Sequence, residues 1–174
     1  MKNFLSILFI ILCLNVSAQD EAYGNERIQK GLKSGTNYIG LTSGYGTSEN
    51  EFLVSILNGR TVSDQVVIGQ SFGYNSNRIS NNEFLLGYFA SLHLGKYQIK
   101  PVLTAKVELM VVPGRDEFDW FIGAKTSLSP GVSYLINEEW ELTLFGQLSH
   151  VPFSERNEIL QNSFLPRLEI AYVF

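Results

Sequence analysis

Thiols are almost absent from this 174-residue chain, whose one cysteine, Cys13, lies near the amino terminus. A lone cysteine excludes an internal disulfide and a cysteine-based metal site. Charge is also scarce, at 17% of residues against roughly a quarter in an ordinary globular domain. Bases are the scarcer sign: 13 Lys and Arg face 17 Asp and Glu, a net charge of −4 that argues against a nucleic-acid partner. Beyond Leu14 no run of about 18 apolar residues occurs, so no transmembrane helix is expected. No phosphate-cradling loop and no dinucleotide fingerprint is present. Yet 45% of residues are apolar and 13% aromatic. Apolarity without long helical runs leaves strands to carry it.

The first residues read as an export signal. Met1-Lys2-Asn3 is a short basic start, and Phe4 to Leu14 is an apolar run too short to span a bilayer. Val16-Ser17-Ala18 then places small residues at the −3 and −1 positions, which predicts cleavage before Gln19. Leu12 before Cys13 is too large for a lipidation motif. Removal of residues 1–18 takes away Lys2, leaving 12 bases against 17 acids and a net charge of −5. Residues 19–35 are polar, charged and glycine-bearing, and are expected to form a flexible periplasmic lead-in. Residues 36–174 form one domain.

The organising stretch is the last one, Phe164-Leu-Pro-Arg-Leu-Glu-Ile-Ala-Tyr-Val-Phe174. Phe174, Tyr172, Ile170, Leu168, Pro166 and Phe164 share one face, while Arg167 and Glu169 lie on the other. Period-two alternation marks a strand. Its length is about twice that of a usual soluble strand, and suits one crossing a bilayer.

Seven further strand-like segments precede it: Thr36–Tyr45, Phe52–Val62, Val66–Tyr74, Glu83–Leu94, Gln98–Val112, Phe121–Ile136 and Trp140–Ser149. Short turns at 63–65, 95–97 and 137–139 alternate with longer polar connections at 46–51, 75–82, 113–120 and 150–163. The pattern predicts an all-β fold, an eight-stranded antiparallel transmembrane β-barrel. Lys100, Lys106, Glu108, Lys125, Glu141, Arg167 and Glu169 fall on the faces opposite the apolar ones. In a barrel of eight strands they must fill the lumen, paired with opposite charges or hydrated. Strand two is the weak point, because an unbroken alternation turns Arg60 toward lipid. A bulge near Asn58-Gly59, or a place by the headgroups, would resolve it. Pro101, Pro130 and Pro166 should sit near strand ends or bulges, since a closed barrel has no free edge.

The terminal Phe174, with Tyr172 two residues earlier, resembles the C-terminal signal of outer-membrane barrel proteins. Ser129-Pro-Gly-Val-Ser-Tyr134 followed by Asn137-Glu-Glu-Trp-Glu-Leu142 is similar to a hairpin of the small outer-membrane β-barrel domain family. Gly69-Gln-Ser-Phe-Gly-Tyr74 and Gly87-Tyr88 add Gly–aromatic pairs of the same kind. The resemblance runs from Gly35 to Phe174. It implies residence in the outer membrane, contact with outer-membrane lipid, and recognition of Phe174 by the barrel-assembly machinery. It implies a fold far more than an activity.

Catalytic candidates are few. His93 falls on an inward face and reads as a hydrogen-bonded structural imidazole. His150 opens the longest connection, near Ser154, Glu155 and Glu158, which invites comparison with the lipid A deacylases and their His-x-Ser pair. Here Pro152 occupies the serine position, and Ser149 points the other way on a strand. Asp116-Glu117-Phe118-Asp119 lacks the spacing of a calcium loop. The expectation is a non-enzymatic barrel without cofactor or metal, acting through its surface loops. A lipid-modifying enzyme using His150, a narrow channel and a lipocalin-like carrier are the alternatives.

Overall fold

A computed structural model describes residues 32–46, 51–77, 81–95, 98–113, 120–154 and 162–174. The expected signal peptide and residues 19–31 lie outside these, as do the acidic stretch 116–119 and Glu155 and Glu158. Eight strands run in chain order: β1 Asn37–Gly46, β2 Glu51–Ser63, β3 Val66–Asn77, β4 Asn81–His93, β5 Ile99–Pro113, β6 Trp120–Leu135, β7 Trp140–Ser154 and β8 Asn162–Val173. Each pairs antiparallel with the next, and β8 closes on β1 as a barrel.

Register fixes the tilt. The ladder row from Ile39 runs through Asn58, Gln70, Tyr88, Val107, Thr126 and His150 to Asn162. Across the β1–β8 seam, however, Ile39 pairs with Tyr172, ten residues further along β8. Ten residues of about 3.3 Å set against eight strand spacings of about 4.8 Å tilt the strands by about 40°.

Alternation places the apolar residues outside. Ile99, Val107 and Leu109 on β5, Ile122 and Leu128 on β6, Leu144 and Leu148 on β7, and Leu168 and Ile170 on β8 are all exposed. Tyr45, Phe52, Phe84, Trp120 and Phe164 ring the loop end, while Tyr134, Trp140 and Phe174 stand at the end bearing both the short turns and the C-terminus. Trp120 and Tyr134 are fourteen residues apart on β6, about 35 Å along the barrel axis at this tilt. That separation matches a hydrocarbon core of about 30 Å with its interfaces.

Several sequence expectations need correction. The sequence places Asn75 in a connection over 75–82, but β3 runs to Asn77 and β4 starts at Asn81. Strand β7 likewise runs on past His150 to Ser154. Asn75 stays in strand because the lumen gives its inward side chain two carboxylate partners, while the inward Val151 on β7 packs in an apolar cluster. Residues 32–35 are fastened to β2 rather than loose. Gly35 N donates to Thr61 O at 2.8 Å, and Ser34 Oγ to Val62 O at 3.2 Å. Gly35 has φ 91°, the left-handed turn that swings the preceding chain under the barrel. Leu32 is thereby buried among Tyr38, Leu57, Val67, Phe89 and Ala171. Arg60 does face outward, and the β2–β3 irregularity falls at Thr61/Ser63 instead of Asn58-Gly59. Pro130 and Pro166 lie in mid-strand on either side of β7, where Gly146 pairs with Pro166. The β6–β7 ladder passes from Leu128 to Gly131 without pairing Pro130.

Candidate functional site: the charged lumen

Inward positions on all eight strands converge on the barrel axis. The seven charged residues named from sequence are all there, none more than 4% exposed. They form three groups rather than one network.

Nearest the termini, Glu141 is shared by two partners. Lys100 Nζ lies 3.0 Å from Glu141 Oε2, and His93 Nδ1 lies 3.1 Å from Oε1. The Lys100 contact is an ion pair, and all three side chains are essentially inaccessible. Strand ends bring them together, since β4 finishes at His93 while β5 and β7 begin beside Lys100 and Glu141. Ser91 and Thr104 bond each other at 2.7 Å nearby.

Midway along the barrel, Arg167 donates to Gln147 Oε1, to Thr42 Oγ1 and, at 2.9 Å, to Ser55 Oγ. Gly44 makes room for it: a Cβ there would come within 2.8 Å of the Arg167 Cγ. Glu169, two residues on, accepts from the Tyr38 hydroxyl. Glu108 accepts from Ser71 Oγ at 2.8 Å, and Lys106 shares its strand face.

Toward the loops, Lys125 Nζ stands 3.7 Å from both Glu51 Oε1 and Glu83 Oε2. Asn75 Nδ2 ties the two carboxylates, at 3.0 Å and 2.8 Å. Sequence reasoning missed Glu51, Asn75 and Glu83. Glu51 and Asn75 read as loop, and Glu83 as the first residue of its strand, although inward parity with Leu53 and Leu85 was available as a signal for the two glutamates.

Apolar clusters flank these polar groups. Leu53, Leu85, Met110, Val112, Val151 and Leu165 pack toward the loops. The cluster that includes Leu32, Leu57, Val67 and Phe89 packs toward the termini.

His150 is elsewhere. It stands exposed on the outer wall, paired across the ladders with Thr126 and Asn162, and Thr126 Oγ1 donates to its carbonyl at 3.2 Å. Ser149 points into the lumen, so the barrel wall separates the two side chains. The expected loop-base position for His150 is therefore corrected to a strand position. Among the described residues no cluster of His, Cys, Asp and Glu has the makings of a metal site.

A closed barrel with an apolar outside and a charged, filled inside is the architecture of small outer-membrane barrels. Solved structures agree. The N-terminal β-barrel domain of OprF from Pseudomonas aeruginosa matches with a TM-score of 0.62 at 13% identity, covering 81% of this chain and 98% of that one. Neisserial surface protein A (NspA) matches with a TM-score of 0.52 at 12% identity, over 79% and 92% of the two chains. At such identities the likeness is one of fold. No protein-family model matches the sequence, and no characterised protein matches it at the sequence level.

Proposed function

We propose that the chain is a non-enzymatic outer-membrane barrel that holds its connecting loops at the cell surface for structural or binding work. The lumen carries this reading. Lys100, Lys125 and Arg167 engage carboxylates, hydroxyls or an amide, Glu108 and Glu169 accept from hydroxyls, and apolar clusters lie on either side of them. Such an interior favours a rigid scaffold over a conduit. Export through residues 1–18 and recognition of the terminal Phe174 by the assembly machinery complete the proposal. Phe174 stacks on Tyr172 at 5.4 Å and is exposed on the outer wall, where an assembly factor can reach it. The surface ligand is left to the loops.

Fractionation tests the reading. The protein should sediment with the outer membrane and run at different positions on detergent gels before and after boiling. A soluble periplasmic protein without that shift would overturn it. The enzyme alternative has its own test, incubation with lipid A beside His150→Ala. No acyl release from either protein is expected, whereas release lost only in the variant would establish catalysis.

A further inference from the structure

Of all the Asp, Glu, Lys and Arg side chains on the described strands, a single one stands on the outer wall, Arg60. Its surroundings are polar as well. Asn37 is its ladder partner on β1, Asn58 precedes it on the same face of β2, and Gln70 pairs with Asn58 on β3. All four side chains are exposed, on a wall otherwise built from Ile39, Ile56, Ile68 and Phe72. Arg60 Nε donates to Gly35 O at 3.2 Å, which anchors the guanidinium near the terminal rim.

Register gives its depth. Tyr172 pairs with Ile39, and Ile39 with Asn58. At this tilt each ladder step from β8 toward β2 rises about 3 Å from the terminal end, and two residues from Asn58 to Arg60 descend about 5 Å. Arg60 therefore stands about level with Tyr172, whose ring lies 4.9 Å from Trp140 in the aromatic belt. Aromatic belts mark headgroup depth. A cation on the lipid-facing wall is costly at mid-membrane and cheap at that depth, where its natural counter-ion is phosphate.

We propose that Asn37, Asn58, Arg60 and Gln70 bind the phosphate headgroup of a phospholipid in the leaflet facing the chain termini. The planar guanidinium pairs phosphate oxygens through two parallel N–H bonds. The carboxamides of Asn37 and Asn58 flank it as neutral donors. Gln70, one strand higher, reaches the ester carbonyls, and Ile39 and Ile68 take the first acyl carbons. A second copy of the chain is the poorer occupant, because a two-fold contact through this patch would set two Arg60 cations against each other. The site rests on the membrane reading above.

Native mass spectrometry of the detergent-folded protein with phosphatidylglycerol tests it. Wild type should retain one lipid, and Arg60→Gln should lower retention about tenfold, the loss of a charge-assisted hydrogen bond. Asn58→Leu, a benign change on a lipid-facing wall, should lower it several-fold, and inorganic phosphate should not displace the lipid. Equal retention by wild type and both variants overturns the site. Displacement by inorganic phosphate would make it a free-anion site, and dimers lost in Arg60→Gln would make it a contact between copies, each contradicting the proposal. The boiling-dependent gel shift separates the two levels. Wild type with the shift but without lipid selectivity removes only the headgroup site, whereas wild type without the shift removes the membrane reading with it.

Discussion

The inner and outer faces of the barrel are made by the same strands, yet they obey opposite rules. On β7, Leu144 is 63% exposed while its neighbour Thr143 is 1% exposed, and the pattern repeats around the wall. Outside, interactions are non-specific, and any apolar side chain of moderate size would serve. Inside, Lys100 and Lys125 depend on particular carboxylates at 3.0 to 3.7 Å, on strands far apart in sequence. Outer positions should tolerate apolar exchange and reject charge. Inner positions should reject the loss of a single partner, even by a smaller apolar residue.

The largest effect is expected from Glu141→Ala. It leaves Lys100 buried without its carboxylate and removes the partner of His93, a change worth about 3–5 kcal/mol. Equilibrium refolding into lipid vesicles, followed by gel shift, would measure it; a loss below that of an outer-wall Leu→Ala exchange would erase the contrast. Next comes Leu144→Arg, expected to cost about 2–4 kcal/mol near mid-membrane. The same assay on Leu144→Val should show little change, and comparable losses for both would mean that the wall is not lipid-facing. Smallest is Ser91→Ala, which gives up the 2.7 Å bond to Thr104. About 1 kcal/mol is expected, the net worth of one neutral hydrogen bond.

The two faces also differ in how well the sequence reveals them. Period-two alternation marks which residues point outward, so Leu144, Ile170 and the seven lumen charges are legible from parity alone. Pairing is not legible. Whether Lys125 meets Glu108, its ladder partner, or Glu51 and Glu83 depends on a shear of ten and on side-chain reach. Strand ends are similarly hidden, since Asn75 looks like loop until two carboxylates are placed beside it. Leu32 gives no local signal, because its burial depends on the turn at Gly35 and on residues from five strands. His150 misled for a related reason: a polar residue before Pro152 reads as the start of a loop, whereas the ladder with β6 and β8 carries the strand onward.

Ion conduction through the purified barrel in planar bilayers tests the central claim, that the lumen is filled by its own side chains. The account predicts no stable current steps above the bare-membrane leak, in wild type and in Arg60→Gln alike, because neither the charge groups nor the flanking apolar clusters are altered. Large, stable currents from the wild-type barrel would contradict it and make the chain a channel.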